Sequence, residues 1–187
     1  PPRARDAGPS ALFQVQVILL GTAAGGGFPQ WNCWCPTCRA ARSQPGSALP
    51  RTQSSVAISA DGAHWFLLNA SPHVRDQVQQ LNGHAPAGNR HVPIEGVVLT
   101  DAELDHSLGL VLLREGRSLQ LYATEAVERM ITEDSRLLAV ARAFAEVHVT
   151  RLQVGTATPL KLRDGTGAGL TVEPILVAAD PPRFASR

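Results

Sequence analysis

The stretch TDAELDHSLGL, Thr100–Leu110, follows directly after the apolar run GVVL and decides how the rest of the chain is interpreted. Three carboxylates and one histidine fall within six of its positions: Asp101, Glu103, Asp105 and His106. The apolar run before it is typical of a buried strand. Such a cluster either holds a cation at the end of that strand, or is a solvated acidic loop in which Asp105 caps the following helix.

A second cluster lies earlier in the chain, where NCWCPTC contains all three cysteines, Cys33, Cys35 and Cys38. This spacing on a turn, with Pro36 bending the chain, lets three sulfurs converge on one ion at about 2.3 Å. Thiolates favour zinc, and three of them without an obvious open position predict a structural site. The fourth ligand stays open between a histidine elsewhere in the chain, a residue beyond Arg187 and an oxygen. The alternative is three unrelated cysteines, one of them reactive.

Composition indicates one soluble domain of ordinary globular type, with 187 residues, 44% hydrophobic and 18% charged. A net charge of +1 gives no reason to expect nucleic acid or an anionic membrane as the main partner. The apolar runs are far shorter than the roughly 20 residues of a spanning helix. Residues 1–12 are interpreted as a flexible leader and residues 13–187 as the domain. With its cysteines in one cluster, a cytoplasmic protein is expected.

Apolar periodicity predicts strands interleaved with helices, and hence an α/β layered domain. The predicted strands are 13–21, 54–60, 64–70, 94–100, 118–123, 147–152, 158–162 and 170–177. The predicted helices are 73–81, 107–114 and 124 to about 143, the last with a break near Asp134-Ser135. Asp61-Gly62 predicts a hairpin turn, and Ser71 with Pro72 is expected to cap and open the first helix.

The order strand, Asp-x-Glu-x-Asp-His, helix resembles the His-x-His-x-Asp-His motif of the metallo-β-lactamase superfamily. Asp105 and His106 match its final pair, whereas Asp101 and Glu103 replace its first two histidines. Four pieces in order resemble the pyrroloquinoline quinone biosynthesis protein B family: GTAAGGGFPQWNCWCPTC, RTQSSVAIS, the Asn-Ala-Ser-Pro that begins at residue 69, and TDAELDHSLGL. The resemblance implies the superfamily's αββα sandwich. Because members of the family are longer, the N-terminal half to two-thirds of that sandwich is expected here.

The same resemblance implies a cytoplasmic enzyme that hydroxylates the tyrosine moiety of a peptide-derived Glu–Tyr precursor, using iron and dioxygen. Asp105 and His106 would be two of three Fe(II) ligands, and a histidine outside this chain would be the third. Asp101 and Glu103 would orient ligands or relay protons. Two alternatives remain: a phosphodiesterase-like hydrolase, disfavoured because the first two histidines are replaced, and a non-catalytic carrier of the finished quinone.

Four further residues are candidates for substrate contact: Gly26, Gly27, Asn69 and Ser71. The glycines would let backbone N–H groups approach an anionic substrate, against the alternative of a plain tight turn. Asn69 and Ser71 stand at a strand-to-helix junction, where caps are the simpler interpretation. Trp31 and Trp34 are expected to pack the cysteine loop, and His73 could face the cleft. Self-association into a homo-oligomer is expected if apolar surface stays uncovered.

Overall fold

The structure is a computed structural model that describes residues 15–44, 46–81, 94–116 and 118–185. The predicted leader, residues 1–12, and the polar connection between the first helix and the strand at residue 94 lie outside the described residues.

Six strands form one mixed sheet in which spatial order follows chain order. They are β1 Gln16–Gly21, β2 Ser55–Ser59, β3 Trp65–Leu68, β4 Ile94–Val98, β5 Ser118–Thr124 and β6 Glu146–Leu152. Strands β1 to β3 are antiparallel, and β3 to β6 run parallel. The predicted hairpin between β2 and β3 is confirmed: Gly62 has a φ of 75°, and the carboxylate of Asp61 accepts the backbone N–H of His64. The parallel strands direct the chain ends after β3 and β4 to one edge of the sheet, where the acidic stretch lies.

Helices lie between the strands along the chain. They are α1 Pro36–Ser43, α2 Val74–Val78 with a 3₁₀ turn Gln79–Leu81, α3 Leu104–Ser107, α4 Gly109–Leu112, α5 Glu125–Arg129, a π-helical turn Met130–Asp134 and α6 Leu137–Arg142. Apolar side chains from α2, α4, α5, the π turn and α6 bury against the sheet: Val74, Leu110, Val127, Ile131 and Leu138. The predicted break near residue 134 is confirmed, because Arg136 has a φ of 58° and separates the π turn from α6.

A second, two-stranded sheet covers part of the other face. It consists of β7 Thr158–Lys161 and β8 Gly167–Val172. Leu160 and Leu170 pack on four side chains of the main sheet: Phe66, Val98, Tyr122 and Leu152. Beside them, the guanidinium of Arg163 lies 3.1 Å from the buried carboxylate of Glu95, which also accepts the Arg163 backbone N–H at 2.8 Å. Helices, main sheet and second sheet therefore form three successive layers, as the α/β pattern predicts.

Several predicted boundaries are wrong, and three of them have a clear physical reason. The last strand ends at Val172 and not at residue 177, because Pro174 lacks the N–H that would continue the ladder. The helix predicted from residue 107 begins at Leu104, so Asp105 lies inside it and does not cap it. Ser71 is not the N-cap of α2: that position is His73, whose backbone N–H donates to the Ser71 hydroxyl in a local turn.

Several apolar side chains on the strand side of the domain are exposed. On β1 and just before it, Val15, Val17 and Leu19 share one face and are between 52% and 65% exposed. Ile175, Leu176 and Val177 are exposed after β8. Self-association through this surface remains a prediction. Within the described ranges, every helix is too short or too polar to cross a bilayer.

Candidate metal centres and cleft

The three cysteines converge at the start of α1. Cys35 is the N-cap residue, and its sulfur accepts the backbone N–H of Cys38 at 3.5 Å. The three Sγ atoms all lie within 4.8 Å of one another. A tetrahedral zinc with bonds of about 2.3 Å holds its sulfurs about 3.8 Å apart, so small side-chain rotations would complete the arrangement. The residues present therefore fit three of four zinc ligands.

Electrostatics differ between two of these thiols. The Cys38 N–H, together with the sulfurs of its neighbours, lowers the pKa of Cys35 below the ordinary value. The backbone of Gln30 lowers the pKa of Cys38, but burial and the adjoining thiols outweigh it and raise that pKa. Cys35 is exposed and Cys38 is buried. Of these two cysteines, Cys35 is thus the more ready to bind a metal as thiolate.

Arg42, on the last turn of α1, holds the cysteine loop. Its guanidinium donates to the carbonyl oxygen of Cys33 at 2.6 Å and also to that of Gln30. It lies 4.8 Å from the ring centroid of Trp34. The prediction that the tryptophans pack this loop is wrong for Trp31, which is 82% exposed, whereas Trp34, 64% exposed, contacts the loop through the Arg42 guanidinium.

The acidic stretch is organised around His106. The Nδ1 atom of this imidazole lies 2.8 Å from the Asp101 carboxylate, and its Nε2 atom lies 3.8 Å from Oδ2 of Asp105. Asp101 also accepts the backbone N–H of Glu103 at 2.9 Å, which fixes the entry into α3. Asp101 therefore orients the imidazole, and the opposite ring nitrogen faces Asp105.

This pairing shifts two pKa values. The hydrogen bond to Asp101 raises the pKa of His106 more than burial lowers it. Burial alone would raise the pKa of Asp101, but hydrogen bonds from His106, Glu103 and Thr100 outweigh it and lower that pKa. A metal-binding histidine commonly donates its second ring nitrogen to a carboxylate in this way. Asp105 and His106 fit two ligands of one metal, with Asp101 behind the imidazole.

Asn69 locks the two strand ends together. Its side-chain oxygen accepts the backbone N–H of Thr100 at 2.9 Å, and its amide donates to the Thr100 hydroxyl at 2.8 Å. The backbone N–H of the next residue, Ala70, donates to the carbonyl of His106, and the Ala70 carbonyl accepts the backbone N–H of Gly109. A Cβ at Gly109 would collide with the Ala70 carbonyl, which explains the glycine in this stretch. Asn69 is only 7% exposed, and its hydrogen bonds position the acidic stretch. Its burial argues against direct contact with a substrate.

Ser71 is also committed to internal contacts. It is fully buried, and its hydroxyl donates to the side-chain oxygen of Gln77 at 2.8 Å. The Gln77 amide donates to the Thr52 hydroxyl and to the Gln53 carbonyl. Gln77 thereby ties α2 to the segment before β2. Like Asn69, Ser71 supports the site from behind and has no free hydroxyl to offer a substrate.

Gln53 connects this hydrogen-bond network to the glycine loop, Gly25–Gly27. Its amide donates to the Gly25 carbonyl at 2.5 Å, and its oxygen lies 2.8 Å from Nδ1 of His73. Since that oxygen only accepts, Nδ1 of His73 carries the proton. A Cβ on Gly25 would lie 3.3 Å from the Asp105 carboxylate. The loop thus closes directly over the acidic stretch.

A cleft of about 460 Å³ opens between these elements. It is lined by Gly25, Gln53, Pro72, Glu103, Leu104, Asp105, Arg183 and Phe184. Gly25 borders the cleft, whereas Gly26 and Gly27 do not line it. Gln53, Arg183 and Phe184 are lining residues that the sequence analysis missed. Gln53 lies in the quoted stretch RTQSSVAIS, but no signal in the chain separates Arg183 from its other arginines.

Comparison with known proteins identifies the family to which the chain belongs. The family model described as "Beta-lactamase superfamily domain" matches residues 64–187. The chain is 44% identical over 174 residues to "Coenzyme PQQ synthesis protein B" of Gluconacetobacter diazotrophicus, covering 91% of this chain and 55% of that protein. It thus spans about half the length of the curated relatives it matches.

Two solved structures are similar in fold. The crystal structure of Zn²⁺-bound PqqB from Methylobacterium extorquens has a TM-score of 0.67 and 40% identity, covering 78% of this chain and 51% of that one. A diphosphatase from the PhnP family has a TM-score of 0.59 and 25% identity, covering 79% and 54%. The expected fold and the resemblance to the pyrroloquinoline quinone biosynthesis protein B family are confirmed. The chain belongs to the β-lactamase superfamily.

Proposed function

We propose that this protein takes part in the synthesis of the coenzyme pyrroloquinoline quinone, as an iron- and dioxygen-dependent hydroxylase of the tyrosine moiety of a peptide-derived Glu–Tyr precursor. One observation carries the proposal. His106 is held between Asp101 and Asp105 beside the cleft, in a chain 44% identical to a coenzyme PQQ synthesis protein B. The two replaced positions of the histidine motif favour a different metal chemistry from a hydrolytic zinc pair.

Two metals are part of this proposal. Zinc at Cys33, Cys35 and Cys38 would stabilise the loop, supported by the sulfur geometry and by the zinc-bound relative. Fe(II) at Asp105 and His106, with a further ligand from outside this chain, would supply dioxygen activation when bound. One oxygen atom enters a ring C–H bond. The other leaves as water, with two electrons and two protons from an external reductant.

The side chains of this chain have separate roles in the proposed reaction. Asp101 holds the Nδ1 proton of His106, so that the Nε2 lone pair stays directed toward Asp105. Glu103 stands on the wall of the cleft, where a carboxylate can accept and return a proton during ring hydroxylation. The Gln53 amide donates to the Gly25 carbonyl, and the Gln77 amide donates to the Gln53 carbonyl. The two glutamines thereby fix the glycine loop beside the cleft.

A hydrolase is the second candidate, because the PhnP-family diphosphatase shares the fold. Its disadvantage is that Asp101 already binds the imidazole of His106 and so is not free to replace a histidine ligand. A carrier of the finished quinone is the third candidate. It would need the cleft for binding but neither Fe(II) nor Glu103.

One experiment separates the three. The purified protein is loaded with Fe(II) and incubated with Glu–Tyr, dioxygen and a reductant, and the product is analysed by mass spectrometry. A gain of one oxygen atom on the tyrosine, absent without dioxygen and with zinc in place of iron, supports the hydroxylase. Release of p-nitrophenol from bis(p-nitrophenyl) phosphate would support the hydrolase instead. Tight binding of the quinone without turnover of either substrate would support the carrier.

We also propose a cytoplasmic location and a homo-oligomer. The clustered free thiols favour a reducing compartment, and the exposed face of β1 offers apolar surface for a second copy. Sedimentation with wild-type protein and a Leu19→Lys variant tests the second point. A monomer in both would contradict it.

A further inference from the structure

We propose that Arg183 anchors a carboxylate of the substrate in the cleft. The inference rests on the proposed function, because it concerns the same cleft and specifies what kind of molecule that cleft accepts. Arg183 lines the cleft together with Glu103 and Asp105. Its role would be positioning and selectivity at the end of the cleft formed by residues 182–185.

The backbone presents Arg183 on a fixed turn. The N–H of Ala185 donates to the Pro182 carbonyl at 2.9 Å and closes a turn that has Arg183 and Phe184 at its centre. Phe184 packs against the main core beneath the helices, and Pro182 is buried. The exposed guanidinium is therefore held at the cleft by buried Pro182 and partly buried Phe184.

Among the residues that the structure describes, none forms an ion pair with this guanidinium. Among the described residues, no hydrogen bond or ion pair joins Arg183 to Glu103 or Asp105, whose carboxylates line the same cleft. Asp105 instead faces His106. By contrast, Arg163 already has a partner within the fold, the buried carboxylate of Glu95. An arginine left open in a cleft can pair with an anionic ligand without first breaking an ion pair.

The charges predict a zwitterionic ligand. A guanidinium presents a planar pair of N–H donors that matches both oxygens of a carboxylate. The carboxylates of Glu103 and Asp105 on the same cleft favour a cationic amine or a bound metal nearby. An amino acid or short peptide carries both charges, whereas a phosphate diester carries only the negative one. The cleft is therefore suited to a peptide-derived substrate with a free carboxylate.

Calorimetric titration of the purified protein tests the inference with four probes: Glu–Tyr, Gln–Tyr, Glu–Tyr with an amidated C-terminus, and glutarate. Arg183→Gln should weaken the binding of Glu–Tyr and glutarate at least about tenfold, since hydrogen bonds to charged groups contribute that much. Arg183→Lys should retain part of the affinity because it keeps the charge and loses the planar fork. The matched control is Arg142→Gln, an exposed arginine of α6 outside the cleft, which should leave all affinities unchanged.

The neutralised peptides identify the anchored group. Whichever carboxylate Arg183 holds, its removal from the peptide should abolish the difference between wild type and Arg183→Gln. Melting curves should coincide for all variants, because both arginines are exposed. Glutarate binding that depends on Arg183, without any binding of Glu–Tyr, would support the carboxylate anchor and overturn the proposed function.

Two results would overturn the inference itself. One is that Arg183→Gln binds every carboxylate probe as tightly as wild type does. The same conclusion follows if wild type binds none of these probes. The other is a loss confined to phenyl phosphate as an additional probe, which would identify a phosphate site and favour the hydrolase.

Discussion

The cysteine loop is built from one short stretch of sequence, whereas the cleft is built from segments that are distant in sequence. The loop takes its three thiolate ligands from one short stretch, Cys33 to Cys38, and leaves much of it exposed. The cleft combines the glycine loop after β1, the acidic stretch after β4 and the turn at Arg183. Local spacing therefore determines the first site, and burial of distant segments against one another determines the second.

The two sites also differ in what holds them. The loop relies on carbonyl contacts of Arg42 at the surface, so a metal would be its main cross-link. The cleft rests on buried amides, above all Gln77 and Asn69, that hydrogen-bond across strand ends. Removal of the metal should thus disorder the cysteine loop before the cleft, and mutations of the buried amides should distort the cleft before the cysteine loop.

The largest expected effect is at the loop. Cys35→Ser replaces a thiol of lowered pKa by a weak ligand, so the protein should lose its zinc and its melting temperature should fall by about 5 °C or more. Elemental analysis with thermal melts measures both. Thr37→Ala, an exposed change on the same turn, is the control and should keep the metal. Unchanged zinc stoichiometry in Cys35→Ser would refute the thiolate site.

The next largest effect is expected for a variant at the metal-binding histidine of the acidic stretch, which should lose iron and keep the zinc of the cysteine loop. In the complete protein, His106→Ala should abolish iron binding and hydroxylation while the thiolate zinc remains, since the cysteine site and the Asp105–His106 pair share no ligand. Asp101→Asn should reduce iron affinity or activity by about 10–100-fold, because the imidazole loses its orienting carboxylate. Metal analysis and turnover are the readouts, and Glu103→Gln should keep the iron but slow turnover. If His106 proves dispensable while Asp101 and Glu103 bind the metal directly, this assignment of roles is wrong.

A smaller effect tests the support beneath the cleft. Gln77→Met keeps the volume but leaves Ser71, Thr52 and the Gln53 carbonyl without their partner, which should lower the free energy of unfolding by about 2 kcal/mol. Gln80→Met, on the exposed side of the same segment, should stay within about 0.5 kcal/mol. Urea denaturation compares them. Equal stability of the two variants would show that the amide network does not hold the cleft.

The smallest effect lies at the hairpin turn, away from both sites. The hydrogen bond to Asp61 raises the pKa of His64 above 6.5, so the protonated pair stabilises the fold below that pH. This contribution is lost as pH rises through the raised pKa of the folded state. Melts from about pH 6 to about pH 9 should show a larger loss for wild type than for His64→Gln. Parallel pH profiles would contradict the coupling.

The sequence by itself determined the layered α/β class, the hairpin at Asp61-Gly62, the break before Arg136 and the cysteine cluster. All of these depend on neighbours in the chain: alternation of apolar residues, turn chemistry and ligand spacing. The acidic stretch could also be identified, because its resemblance to a superfamily motif is local. Element ends were less predictable, since Leu104 opens a helix only when Asp101 turns back to bind the Glu103 N–H.

Only the tertiary structure decided which residues reach the cleft. Asn69 and Ser71 are polar residues at a strand end, and nothing in their sequence context shows that Thr100 and Gln77 use up their hydrogen bonds. Arg183 resembles every other arginine of the chain until the turn at Pro182 sets it beside Asp105. The physical reason is that hydrogen-bond satisfaction and burial depend on partners far away in the chain.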